Sequence, residues 1–176
     1  MNPFPPYLSV LDSKLAGRYI TNSHIEPLLS DYNHSIIGLS TSGLPIYRIR
    51  IGTGSIKVLM WSQMHGNEST TTKSLFDLLR FLNTSPNWFD NLQLSIIPIL
   101  NPDGAKAYTR VNTNHVDLNR DAIDLSQIES RVLREEFDQF SPDFAFNLHD
   151  QRTIFGVNGK PATVSLLAPA FDQYRN

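Results

Sequence analysis

Residues 62–70 read SQMHGNEST, and two of them, His65 and Glu68, are side chains that can bind a divalent metal ion. They stand three positions apart, so a helix beginning by Glu68 would turn both toward one point. Zinc accepts neutral imidazole and carboxylate, and a catalytic zinc keeps three protein ligands with a fourth position for water. The third ligand would come from further along the chain. His149, at the end of the apolar stretch PDFAFNLHD, is the candidate. Each piece also has an ordinary explanation: a polar strand-to-helix turn accounts for residues 62–70, and a satisfied strand-end histidine accounts for His149. His24, His34 and His115 have no comparable surroundings and read as surface or loop residues.

Between these segments lies YTRVNTNHVDLNRDA. Read as an extended stretch, VDLNR puts Asp117 and Asn119 on one side and Leu118 on the other. A zinc-bound histidine usually donates its second N–H to a carboxylate or carbonyl, and Asp117 can serve there. A loop aspartate capping a nearby turn explains it as well. Arg110 and Arg120 can grip a carboxylate with paired hydrogen bonds or face an oxyanion as it forms. Two solvated surface arginines would look the same.

The elements that must position these groups can be read around them. SIKVLMW (55–61) and LQLSIIPIL (92–100) are apolar runs of strand length. SIIGLSTSGLPIYRIRIG predicts two strands joined at Thr41-Ser42-Gly43. STTTKSLFDLLRFLNT repeats Leu75, Leu78, Leu79 and Leu82 at helical spacing, and LSQIESRVLREEFDQF does so with Ile128, Val132, Leu133 and Phe137. Ser23 and Glu26 have the spacing of a capping box for a short helix in a preamble over residues 1–33. NPDG (101–104) reads as a turn, and ATVSLLAPA as a late buried strand. This alternation predicts an α/β fold: one domain, with a mixed, largely parallel sheet flanked by helices. Ligands of such sheets gather outside the carboxyl ends of the strands, where His65, Glu68, NPDG and His149 all fall.

Bulk properties narrow the function. The chain has 176 residues, enough for one domain with a real core. A formal net charge of -2 argues against a dedicated nucleic-acid binder. No apolar run is long enough for a membrane span, and the start lacks a secretory signal, so the sequence reads as cytoplasmic. With no cysteine, any metal site must use His, Asp or Glu.

The ordered set HGNE, NPDG, R-V-N, VDLNR and NLH resembles the zinc carboxypeptidase family of the carboxypeptidase A type, over residues of about 35 to 150. Each motif is weak, but all five in order are specific. The resemblance implies a Zn2+ cofactor on His65, Glu68 and His149, with Asp117 behind His65. It implies Arg110 as the oxyanion partner, and Asn119 with Arg120 as the grip on a substrate's terminal carboxylate. The expected partner is a peptide or small substrate with a free carboxylate, and the expected activity is removal of a C-terminal residue.

Two departures are small: His115 stands where relatives often have glycine, and Asp121 where they often have asparagine, which would add charge beside the clamp. A third is larger. The family's general base is a late glutamate, yet no glutamate follows Glu136, and neither Asp172 nor Tyr174 matches a family position. The chain therefore reads as the N-terminal portion of a longer enzyme, an inactive fragment with metal ligands and clamp but no base. Two other functions stay open: an N-acyl amino acid amidohydrolase of the aspartoacylase or succinylglutamate desuccinylase type, which shares HGNE, and a non-catalytic zinc-dependent carboxylate-binding module.

Overall fold

Five of the apolar runs form one sheet in the computed structural model, which describes residues 7–84, 90–150, 156–157 and 160–161. The strands are β1 (Asn33–Leu39), β2 (Pro45–Ile51), β3 (Ile56–Trp61), β4 (Leu92–Ile97) and β5 (Phe144–Asn147), in the order β1-β2-β4-β3-β5. β1 with β2 and β2 with β4 run antiparallel, while β4, β3 and β5 run parallel. The sheet is therefore mixed, and its parallel part consists of the strands that lead into the candidate site. Gly156–Val157 and Lys160–Pro161 form a separate short antiparallel pair. The strand read over ATVSLLAPA, with Asp172 and Tyr174, lies outside the described residues.

Among the described residues, four α-helices accompany the sheet: α1 (Asn22–Leu29), α2 (Thr70–Thr84), α3 (Pro102–Ala107) and α4 (Ile128–Phe140). Alternation along the strands divides the core. Ile49, Leu94 and Ile96 face Ile25, Leu28 and Leu29 of α1 and Leu75, Phe76 and Leu79 of α2. Ile46 and Ile97 face the other way, toward Met64, Leu100, Leu118 and Val132 of α4. Each such side chain taken out of water contributes about 1.5–3 kcal/mol. Among the described residues, no helix is long and apolar enough to cross a membrane.

Several expectations change on contact with the structure. NPDG is not a turn but the opening of α3: Asn101 caps it by accepting from the Gly104 N–H at 2.8 Å, with Pro102 in the first turn. α1 is capped by Thr21, whose backbone N–H donates to His24 Nδ1 at 3.2 Å, rather than by Ser23 and Glu26. VDLNR is not extended, because Leu118–Arg120 form a 3-10 turn capped by Asp117.

On α4, Val132 is buried and Leu133 half-buried, but Ile128 and Phe137 are exposed and Glu129 and Glu136 take the inner face. Those carboxylates are buried because they have distant partners. Glu129 accepts from the Thr41 N–H at 2.9 Å, at the tip of the β1–β2 hairpin. Asp103 of α3 reaches the same tip, accepting from the Ser40 hydroxyl at 2.8 Å and the Ser42 N–H at 3.0 Å.

Candidate metal centre

β3, β4 and β5 end level, because Trp61 pairs with Ile97 on one side and with Asn147 on the other. Backbone pairing continues beyond the strands. Leu100 and Asn101 donate to the carbonyls of Ser62 and Gln63, both at 3.0 Å, and Leu148 donates to that of Trp61 at 2.9 Å. Three loops therefore leave the sheet side by side. The first is shaped by Gln63, whose buried amide donates to the Gly66 carbonyl at 2.7 Å and whose oxygen accepts from the Thr72 hydroxyl at 2.7 Å.

Gly66 explains the glycine of HGNE. A methyl group there would overlap the carbonyl carbon of Gly104 and the amide nitrogen of Ala105, backbone atoms of α3 that cannot swing aside. Gly66→Ala is expected to destabilise the fold by about 2 kcal/mol, as overpacking of a close contact does. It should also weaken metal binding, because His65 is the adjacent residue. Thermal melts with and without zinc check this, and an unchanged midpoint would contradict it.

His65 and Glu68 are both buried, and the structure brings them to His149. Glu68 Oε1 lies 3.0 Å from His65 Nδ1, and Glu68 Oε2 lies 2.9 Å from His149 Nδ1. The two imidazole centroids are 4.7 Å apart, and one potential ligand atom from each of the three residues falls within 4.8 Å of the others. On its far side His65 Nε2 lies 3.0 Å from Asp117 Oδ1.

His65 thus faces a carboxylate at each ring nitrogen. A neutral imidazole has one N–H. With that proton on Nε2 and donated to Asp117, a lone pair on Nδ1 points at a carboxylate oxygen, which is relieved by a second proton or by a cation between them. The donor set fits zinc: two imidazoles and a carboxylate converge, and one imidazole is oriented from behind by a second carboxylate. Burial raises the pKa of Glu68, but the His149 and His65 rings, with a nitrogen 2.9 Å and 3.0 Å from its two oxygens, outweigh it and hold the group at about 2, so it stays ionised. Burial opposes ionisation of Asp117 as well, and its bonds with His65 and Arg110 still keep it below the usual carboxylate range.

The other candidates sit around this cluster. Arg110 Nε donates to Asp117 Oδ2 at 3.0 Å, and its Nη1 comes within 3.5 Å of Glu68 Oε1, while the guanidinium stays substantially exposed. Asn119 hangs from the Asp117 cap through its backbone N–H at 2.9 Å. Arg120 is exposed and donates to the Asn119 carbonyl at 3.1 Å. His115 adopts φ 60°, a conformation that glycine enters at least cost, so the histidine holds a glycine-like turn.

Asp121 corrects the sequence reading, because it does not add charge beside the clamp. It is buried and turned toward the start of α4, accepting from the Ser126 N–H and the Gln127 N–H at 2.9 Å and from the Ser126 hydroxyl at 2.7 Å. Burial raises its pKa, yet these donors and the Ser130 hydroxyl lower it more, to about 2 from 3.8. A depressed carboxylate pKa stabilises the fold above the unfolded value, and that stability disappears as pH falls from about 4 to 2. Wild-type protein should therefore exceed Asp121→Asn by about 2 kcal/mol at pH 5, the gap closing by pH 2. Denaturant titrations across that range test this; a gap independent of pH would contradict it.

Two residues of the NLHD stretch have contacts to which the sequence reading gave no role. Asp150 accepts from the Thr70 N–H at 2.9 Å and so caps α2 from across the site, while its own N–H reaches Glu68 Oε2 at 3.3 Å. Asn147 donates to Asn119 Oδ1 at 3.1 Å.

The family model for zinc carboxypeptidases matches residues 23–149, most of the chain and every candidate above. The chain belongs to the zinc carboxypeptidase family. Carboxypeptidase 2 of Trichophyton tonsurans is 32% identical over 102 residues, covering 54% of this chain and 19% of that protein. Carboxypeptidase SOL1 of Arabidopsis thaliana is 30% identical over 129 residues, covering 61% of this chain and 26% of that protein. The chain thus spans about a fifth to a quarter of the length of these curated relatives. Solved structures share the fold. A metallo-carboxypeptidase from Burkholderia cenocepacia superposes with a TM-score of 0.63 at 20% identity, covering 73% of this chain and 39% of that one. The murein-tripeptide amidase MpaA from Escherichia coli O157 superposes with a TM-score of 0.56 at 21% identity, covering 67% and 61%. Within that fold, His65 and Glu68 of HGNE, Asp117 of VDLNR and His149 of NLH lie within hydrogen-bond reach of one another.

Proposed function

We propose that His65, Glu68 and His149 hold zinc and that the site acts on peptides bearing a free C-terminal carboxylate, as a metallocarboxypeptidase. The observation that carries this reading is the convergence of the three ligand atoms, with His65 oriented from behind by Asp117. Bound zinc would supply a Lewis acid and a water acidified toward a pKa of ~7. Asp117 keeps the His65 proton on Nε2 and thereby leaves Nδ1 free to ligate. Arg110, exposed between Asp117 and Glu68, offers its remaining N–H groups to charge that develops in the transition state, where binding accelerates reaction. Asn119 and Arg120 receive the carboxylate, Arg120 by its exposed charge and Asn119 by its side-chain amide.

Of the carboxylates beside the ligands, Asp117 is engaged by His65 and Arg110, and Asp150 by the amides that open α2. Neither is open to relay a proton. The family match favours peptides over N-acyl amino acids, the related amidohydrolase substrates.

Calorimetry on the zinc-loaded chain tests the reading, with N-benzoylglycyl-phenylalanine compared against its C-terminal amide and against N-acetylaspartate. Zinc-dependent preference for the peptide acid supports it. Absence of zinc binding, or equal affinity for acid and amide, would sink it.

A further inference from the structure

Asn119 can recognise a carboxylate only if its amide is turned the right way. An asparagine side chain carries a carbonyl oxygen, which would repel a carboxylate, and an NH2 group, which would bind it. The two are similar in shape, so the fold must choose. In this structure Asn147 Nδ2 donates to Asn119 Oδ1 at 3.1 Å, which occupies the carbonyl and leaves the NH2 group to face away from Asn147.

Asn147 is itself well anchored. It sits on the last rung of β5, opposite Trp61 of β3, and its Nδ2 also lies 3.5 Å from Met64 Sδ. Its own Oδ1 is buried without a hydrogen-bond partner, a cost that an apolar residue at this strand position would avoid. The polar side chain is therefore poorly explained by packing. It is explained by what it does to Asn119.

We infer that Asn147 is a positioning residue that sets the amide orientation of Asn119, tying the strand that carries His149 to the carboxylate grip. The inference rests on the proposed role of Asn119. Two residues past Asn147 the same strand delivers His149, and Asn119 lies two residues past Asp117, which orients His65. The grip and the ligand set are thereby fixed to one another, and the distance from the bound carboxylate to the metal ligands is defined by the fold. That distance decides whether the terminal residue, or a longer piece, is placed for cleavage.

The test is a double-mutant cycle with zinc-loaded protein, using Asn147→Leu, Asn119→Ala and the pair. The ratio of affinities for N-benzoylglycyl-phenylalanine and its C-terminal amide is measured by calorimetry, together with zinc affinity. Asn147→Leu should lower the acid-to-amide ratio about tenfold, the scale of one hydrogen bond to a charged group, while changing zinc affinity less than twofold. In the Asn119→Ala background it should have no further effect on the ratio, because its route to the ligand is gone. Equal losses in both backgrounds, or no loss in either, would overturn the inference.

A wild-type ratio of one would remove the proposed grip itself, and the inference with it, which separates the two failures. If Asn147→Leu does not fold, Asn147→Ala, which removes the amide without adding bulk, takes its place in the cycle, and the wild-type protein checks the grip itself. In a 15N-labelled sample the Asn119 side-chain NH2 pair should shift when N-benzoylglycyl-phenylalanine is added and not when the amide is added. An Asn119 pair indifferent to the acid overturns the inference.

Discussion

Replacing Glu68 with glutamine is expected to weaken zinc binding by about a thousandfold or more. Substitutions behind the ligands, such as at Asp117, cost about 10–100-fold in affinity, and loss of a ligand's charge must exceed that. The substitution preserves shape and removes the one negative charge that both imidazoles face. It also introduces an NH2 group that cannot ligate and points its protons at one of the two Nδ1 atoms. Two neutral rings would remain, with Asp117 on the far side of His65. Competition against a chromophoric chelator measures the loss, with Glu135→Gln, on an exposed stretch of α4, as the control. A change below tenfold would show that the metal is held elsewhere.

Glu136→Leu should cost the fold about 3 kcal/mol, the lower end of the range for breaking a buried ion pair. One carboxylate there serves three donors. Oε2 accepts from Arg48 Nη1 at 2.9 Å, and Oε1 accepts from Arg50 Nη2 and the Ser95 hydroxyl at 2.6 Å each. Its removal leaves two guanidinium groups on neighbouring positions of β2 with no counter-charge between them. Burial already pushes the Arg50 pKa down, with Glu136 opposing, and its guanidinium lies 4.0 Å above the Phe140 ring. The two arginines keep 25% and 23% of their side-chain surface, so water recovers part of the loss, and the lower figure follows. Denaturant unfolding at neutral pH should show the loss, with Arg48→Met and Arg50→Met each costing less. A loss under about 1 kcal/mol would mean that the arginines rehydrate freely.

These two glutamates also mark how far the sequence could be read. Glu68 was legible because its partners are named by short spacing and motif order, and because level strand ends cancel the chain distance to His149. Glu136 was not, because apolar periodicity registers only apolar burial, and its partners on β2 lie 86 and 88 residues away. The same blindness put Ile128 and Phe137 on the inner face of α4, where the structure places Glu129 and Glu136. It also turned Asp121 toward the clamp, when nearby backbone donors draw it inward. NPDG was misread for a different reason: asparagine and proline favour both turns and helix starts, and only the docking of α3 against Gly66 decides between them. The sheet itself followed from strand-length apolar runs, which is why its order could position the ligands before any contact was known.

The tip of the outer hairpin has a consequence for β1, which is an edge strand with Ile36 and Leu39 exposed and an irregularity between Ile36 and Gly38. Two-stranded ribbons of this kind can slide by a pair of residues while keeping their alternation. Here consecutive backbone amides at Thr41 and Ser42 are each captured by a different buried acid, Glu129 and Asp103. A slipped ribbon would cost both acids their hairpin donors at once, leaving Glu129 with Asn112 and Asp103 with Thr113, so misregistration is penalised at the end of the hairpin beside the carboxyl end of β4. The border most open to partner swapping is therefore proofread by two buried acids that lie outside the candidate ligand set.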